Sequence, residues 1–230
     1  MKNFLIVGGS TGIGLALVQN LAKKNQVYST YFKSQPIQIE NVTYSQLDVC
    51  EDQLNLDFLP EVIDGFAYCV GAIQLKPFNR ISEADFISDY KKQVTGAIRI
   101  LQQILPKLKS SSNPSIVLFS TIAVQTGFPF HSLVSSSKGA IEGLTKALAA
   151  EFAPKIRVNC IAPSITNTPL AAGLLNTEEK IAANAQRHPL KRVGEPNDLA
   201  QMAEFLLDDH SGWITGQIFH IDGGMSTLKI

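Results

Sequence analysis

The chain is poor in the residues that build stapled or metal-bound folds. Its 230 residues include only three cysteines, Cys50, Cys69 and Cys160, far apart and odd in number. That pattern argues against a disulfide framework and against a zinc site. It suits three small, partly buried hydrophobes in a reducing cytosol. The four histidines form no HExxH or comparable ligand spacing, so no metal is expected. Charge of one sign is missing too. Lys plus Arg and Asp plus Glu number 20 each, which leaves no long-range field to favour nucleic acid or an acidic membrane. No apolar run approaches the roughly 20 residues of a bilayer span. The start, Met1 to Gly8, reaches glycine too early for a secretory signal. There is no repeat, low-complexity tract or interdomain linker. These absences lead to the expectation of a cytoplasmic protein whose partner is a small molecule, neither nucleic acid nor membrane.

What is present is a steady alternation of short apolar runs and amphipathic stretches. Hydrophobic residues make up 45% of the chain, enough for the core of one large domain spanning residues 1–230. Strands are predicted at Phe4 to Val7, Gln26 to Tyr31, Val42 to Tyr44, Ile63 to Val70, Ser115 to Phe119, Ile156 to Ile161 and Gln217 to Ile221. Helices are predicted at Ile13 to Lys24, in two pieces over Ala84 to Leu108 with the second ending near Pro106, at Leu133 to Phe152, and from Pro196. Such alternation implies βαβ units and an α/β, doubly wound parallel sheet covered on both faces. The stretch from Pro163 to Pro189 departs most from it. It reads as a loop insertion with a short helix, Thr177 to Gln186, of the kind that covers a ligand. Leu170, Leu174 and Leu175 there could form an apolar substrate wall or a helix face packed on the core.

The first strand runs into Gly8-Gly9-Ser10-Thr11-Gly12-Ile13-Gly14 and then a helix. Glycine permits close approach to a pyrophosphate, and the helix amino terminus offers free N–H groups and a favourable dipole. The spacing is not the G-x-G-x-x-G of the standard dinucleotide fingerprint, so the strand–turn–helix context carries the inference. After the second strand there is no acid to accept from a ribose 2′-OH; Lys33 stands there, and with Ser10 or Thr11 it could meet a 2′-phosphate. NADP(H) is therefore preferred over NAD(H), with a solvated surface lysine as the alternative for Lys33. Asp48, beside Val49, could accept from an adenine amino group or cap the next segment.

Taken together, these residues resemble the short-chain dehydrogenase/reductase family along essentially the whole chain. The glycine turn, Leu47-Asp48-Val49, Arg157 to Pro163, Pro189 to Pro196 and Ile214 to Gly224 are similar to its motifs in order. The resemblance implies a single Rossmann-type domain with a seven-stranded parallel sheet, oxidoreductase activity on a small carbonyl or alcohol, and pairing of copies through the two long helices into a homodimer or homotetramer. It also implies that Gly71, Pro163, Thr166 and Thr168 border the nicotinamide end of the coenzyme, although Ser164 takes the place of the usual glycine. The departures cluster at the chemistry. The family's Asn-Asn-Ala-Gly is Tyr68-Cys69-Val70-Gly71 here, its relay Asn is Gln93, and its substrate-orienting Ser is Thr121. Its Lys is kept as Lys138, but its Tyr, one helical turn earlier, is Val134.

A phenol at that position gives or takes the substrate oxygen's proton, and a positioned acid/base is typically worth about 10²–10⁴ in rate. Valine contributes none of it. His131, Tyr68, Ser135, or a water held by Thr121 and Lys138, could each stand in. Three readings follow: an oxidoreductase with an altered or weakened relay, a dinucleotide binder that senses or assembles without turning over, or a protein with no cofactor at all.

Overall fold

The computed structural model describes residues 1–229. Its frame is a seven-stranded sheet, all parallel, in the order β3-β2-β1-β4-β5-β6-β7. The strands are β1 (Asn3–Val7), β2 (Gln26–Tyr31), β3 (Val42–Gln46), β4 (Gly65–Tyr68), β5 (Ser115–Phe119), β6 (Arg157–Pro163) and β7 (Ile218–Ile221). The helices are α1 (Gly12–Leu21), α2 (Glu83–Tyr90), α3 (Gly96–Lys109), α4 (Ala123–Thr126), α5 (Ser132–Phe152), α6 (Glu178–Gln186) and α7 (Pro196–Leu207). Among the described residues, no helix is long and apolar enough to cross a membrane.

The central strands are buried on both faces, and the two-residue period of a strand sends successive side chains into two cores. Leu5, Val7, Phe66, Ile116, Leu118 and Val158 pack with α3 and α5 residues such as Ile100, Ile104 and Ile141. Phe4, Ile6, Ala67, Val117, Phe119 and Ile161 pack with Leu17 and Val18 of α1 and Leu199, Ala203 and Leu206 of α7. Chain order reverses between β1 and β4, so the segments leaving their carboxyl ends part to opposite sides. A crevice opens there, as in other doubly wound sheets.

Three details differ from the sequence-based expectation. Helix α3 does not stop near Pro106 but runs through it to Lys109. The proline forfeits only one backbone bond, and the fully buried Leu108 anchors the last turn beyond it. The two pieces of that helical stretch are joined without a break by a π-helical turn, Lys91–Thr95. Before α6, a short 3₁₀ helix, Pro169–Leu174, sits where only loop was expected, capped by Thr168 at Ala171 N. It divides the three leucines. Leu175 joins Ala171 and Val193 in a small core of its own, while Leu170 and Leu174 face the crevice.

The carboxyl end of α7 is fastened to the sheet by one cation. Arg157 at the start of β6 is 7% exposed. Its guanidinium donates to the carbonyls of Leu206 (2.9 Å), Ser211 (3.1 Å) and Asp208 (3.1 Å). A charge-assisted donor at a helix carboxyl terminus satisfies carbonyls that have no partner in the helix. Arg157→Met keeps most of the volume but removes the charged donor, leaving those carbonyls to Ser115 Oγ, Ser211 and Ile214 N. Urea unfolding is expected to show a loss of about 2–4 kcal/mol; a loss well under 1 kcal/mol would mean that water replaces the guanidinium.

Candidate active site

Beyond the carboxyl ends of the strands lies a cleft of about 460 Å³. It brings together Ile13, Gly71, Gln93, Thr121, Val134, Lys138, Pro163, Thr166 and Thr168, which come from elements spread over the whole chain. Gly8, Ser10, Thr11, Gly12 and Gly14 form the turn at its amino-terminal shoulder. Gly8 (φ +85°) and Gly12 (φ +54°) adopt backbone conformations that favour glycine, and a Cβ on Gly14 would stand 2.2 Å from the Gly8 carbonyl oxygen. Gly8 N and Gly9 N bond Thr30 of β2, which fixes the turn against the sheet. Thr11 precedes α1 without a side-chain cap, and the first turn holds no acid. The amino terminus of α1, with Ser10 and Thr11 at its mouth, thus forms a glycine cradle whose N–H groups and dipole suit an anion. Opposite it, the side chain of Thr168 lies 3.2 Å from where a Cβ on Gly12 would be. The cradle fits the phosphates of a dinucleotide.

Lys33 follows β2, exposed, with its ammonium 5.2 Å from the Phe32 ring centre. No acid lies beside it in sequence. Asp48 accepts from Cys50 N at 2.9 Å in a local turn, so its capping role is realised there and not at a helix. Val49 is buried against Gly96 of α3. Neither residue reaches the cleft.

Inside the cleft, Lys138 dominates the electrostatics. It is 7% exposed, and its ammonium donates to the Phe119 carbonyl at the end of β5 at 2.9 Å. An ammonium has three donors, so two remain for a ligand. Burial pulls its pKa down to about 8, against the opposing pull of Cys160, Asp89 and Cys69. Burial also holds both thiols up to about 12. At pH 8 they are neutral, and Asp89 is the anion that acts on the lysine. Asp89 is itself buried. Its Oδ2 accepts from Gln93 Nε2 at 2.7 Å and from Ser137 Oγ at 2.6 Å. The Gln93 amide oxygen is buried without a partner and lies near Gly71. Thr121 Oγ1 accepts from Ala123 N at 3.3 Å, a long bond that leaves its proton free. Next to Thr121, Ser120 Oγ donates to the buried Glu142 at 2.6 Å.

Asp89, Ser137 and Glu142 were not singled out in the sequence. The i, i+4 spacing of Asp89 and Gln93 on a helix was the available signal. The stand-ins for the absent phenol separate clearly. Tyr68 points away from the cleft, donating to the Lys92 carbonyl at 2.5 Å, and burial raises its pKa well above the ordinary value. Ser135 Oγ is engaged by the Ala123 carbonyl at 3.2 Å. His131 lines the cleft at its rim, with Nδ1 2.8 Å from the Pro129 carbonyl. Val134 does line the cleft, buried. The three cysteines are free, and no group of residues suited to a metal exists among the described residues.

Comparison with known proteins agrees with this architecture. Residues 9–226 match the family described as enoyl-(acyl carrier protein) reductase. A tropinone reductase homologue of Arabidopsis thaliana is 33% identical over 96% of this chain and 78% of its own length. A second from the same plant is 31% identical over 98% and 92%. Among solved structures, a short-chain dehydrogenase family protein of Francisella tularensis superposes with a TM-score of 0.91 at 28% identity, covering 99% of this chain and 100% of its own. The structure of ElxO with NADP bound gives 0.87 at 27% identity, covering 99% of each chain. The chain belongs to the short-chain dehydrogenase/reductase family, whose members are NAD(P)-dependent oxidoreductases.

The lysine leaves a signature in stability. Between about pH 8 and 10.5 the unfolded chain keeps the Lys138 proton that the folded protein has released. The unfolded state then binds more protons, so this group's contribution to stability increases as pH rises through that window. Comparing wild type with Lys138→Met isolates it from the thiols, which titrate with the opposite sign. The stability difference is expected to shift by about 3 kcal/mol in favour of wild type from pH 8 to 10.5. A difference flat with pH would mean that the lysine is solvated.

Proposed function

We propose that the protein is an NADP(H)-dependent oxidoreductase acting on a small carbonyl or alcohol through a proton relay altered by Val134. The observation that carries this is the convergence of Thr121, Lys138 and Gln93 in one cleft that opens onto the glycine cradle. A nicotinamide dinucleotide supplies hydride transfer there. In this reading the turn from Gly8 to Gly14, with Ser10, Thr11 and Ile13, holds the phosphates. Lys33 meets the 2′-phosphate, and the absence of an acid after β2 favours NADP(H) over NAD(H). Asp48 and Val49 border the adenine, while Gly71, Pro163, Thr166 and Thr168 border the nicotinamide. Lys138 holds the nicotinamide ribose and keeps a positive charge beside the reacting oxygen. Thr121 donates to that oxygen, and the free Gln93 amide oxygen holds a water. Val134 makes the wall facing the substrate apolar, as do Leu170 and Leu174. We read the protein as cytoplasmic, consistent with its free thiols.

The buried Val134 favours a second reading, a dinucleotide binder without turnover. Titration with NADPH, paired with a screen of aldehydes, ketones and quinones, separates the two. Tight NADPH binding and carbonyl reduction are expected, with reduction falling at least about 100-fold in Lys138→Ala, where NADPH affinity weakens as well, and about 10-fold in Thr121→Val at preserved affinity. Binding with no reduction, restored in Val134→Tyr, would establish the binder. For assembly, we expect light scattering to give the mass of a homodimer or homotetramer; a monomer at micromolar concentration would refute that.

A further inference from the structure

We infer that Ser164 and His188 form a hydrogen-bonded relay that exchanges a proton with the substrate oxygen in place of the missing phenol; this rests on the oxidoreductase reading above. Ser164 Oγ lies 2.8 Å from His188 Nε2. His188 Nδ1 lies 2.7 Å from the Asn184 carbonyl, which can only accept, so Nδ1 carries a proton and Nε2 faces the hydroxyl. The ring is 2% exposed, and the same two residues line the cleft with Lys138 and Thr121. A base oriented by a third group and aimed at a hydroxyl is the arrangement that proton transfer requires.

The sheet puts that hydroxyl beside the proposed site of reaction. The register pairs Phe119 with Ile161, and Ile122 N bonds the Pro163 carbonyl at 3.1 Å. Thr121 and Ser164 therefore leave neighbouring strand ends, which run about 4.8 Å apart. A glycine at 164, usual in relatives by resemblance, has no hydroxyl to offer. Met225 Sδ, 3.4 Å from Ser164 Oγ, is a weak acceptor and leaves the hydroxyl available.

Both protonation states keep both bonds. Neutral His188 accepts from Ser164; imidazolium donates to it, and the hydroxyl proton then points outward. As the substrate's carbonyl carbon gains two electrons with the hydride from the reduced nicotinamide, its oxygen takes the Ser164 proton. His188 Nε2–H replaces that proton, leaving an alcohol, neutral His188 and oxidised nicotinamide. Alcohol oxidation runs the same transfers backwards. The charged groups around the pair are Arg187 beside it, Arg192, Asp198 and Asp222 in the smaller cavity behind it, and Lys138 and His131 across the cleft.

Two measurements test the relay. Nitrogen NMR of the histidine rings without coenzyme is expected to place the neutral His188 proton on Nδ1, with the Nε2 resonance moving in Ser164→Ala. Steady-state carbonyl reduction with NADPH is expected to lose about 100-fold in kcat in both Ser164→Ala and His188→Gln, with KM and NADPH affinity within about twofold. The pH profile of kcat should differ between the wild type and both variants. Variants with the wild-type rate and pH profile, or a His188 proton on Nε2, would overturn the relay alone. Wild-type protein that binds NADPH but reduces no carbonyl would overturn the oxidoreductase reading and the relay with it.

Discussion

A buried ammonium organises this molecule. Lys138 stands on α5 facing the end of β5, and its bond to the Phe119 carbonyl joins the longest helix to the middle of the sheet. Removing such a charge from water is costly, and the surroundings compensate only in part: Asp89 supplies the counter-charge, and burial holds the pKa near 8. Asp89 in turn collects Gln93 and Ser137, so one unfavourable burial positions three polar side chains from two helices. The π-helical turn that carries Gln93 lies in this same network, in keeping with the frequent placement of such turns at functional sites.

Most of the frame was legible in the sequence because its signals are local. Gln26 to Tyr31 and Ser115 to Phe119 appear as strands with the boundaries their apolar runs suggested. Pro196 opens α7, and Thr177 caps α6, as their residue types favour. The misreadings came where tertiary packing overrode a local rule, as with Pro106, held inside α3 by the burial of Leu108. The site was legible in part. The glycine turn and the spacing from Thr121 to Lys138 mark it, whereas Ser164 and His188 are 24 residues apart and meet only through the fold. Tyr68 shows the converse error. Its position beside the cleft suggested chemistry, but strand alternation turns it into the core under the π-helical turn.

Val134 sets the character of the α5 wall of the cleft. The wall at Val134 offers no donor, and Leu170 and Leu174 line the same cleft. Its polar lining comes from the β5 and β6 ends (Thr121, Ser164), from Gln93 and Lys138, and from the α6 side (Asn184, His188). In the proposed reaction the substrate oxygen meets Thr121, Ser164 and Lys138, and its apolar portion lies against Val134, Leu170 and Leu174.

The approach of Thr168 to Gly12 has a mechanical consequence. The phosphate cradle and the segment leading to α6 are separated by less than the width of a methyl group. The residues that follow Thr168 begin the 3₁₀ helix carrying Leu170 and Leu174. A side chain at 12 would have to displace Thr168, so the cradle and the helix that lines the substrate side are built as one contiguous wall.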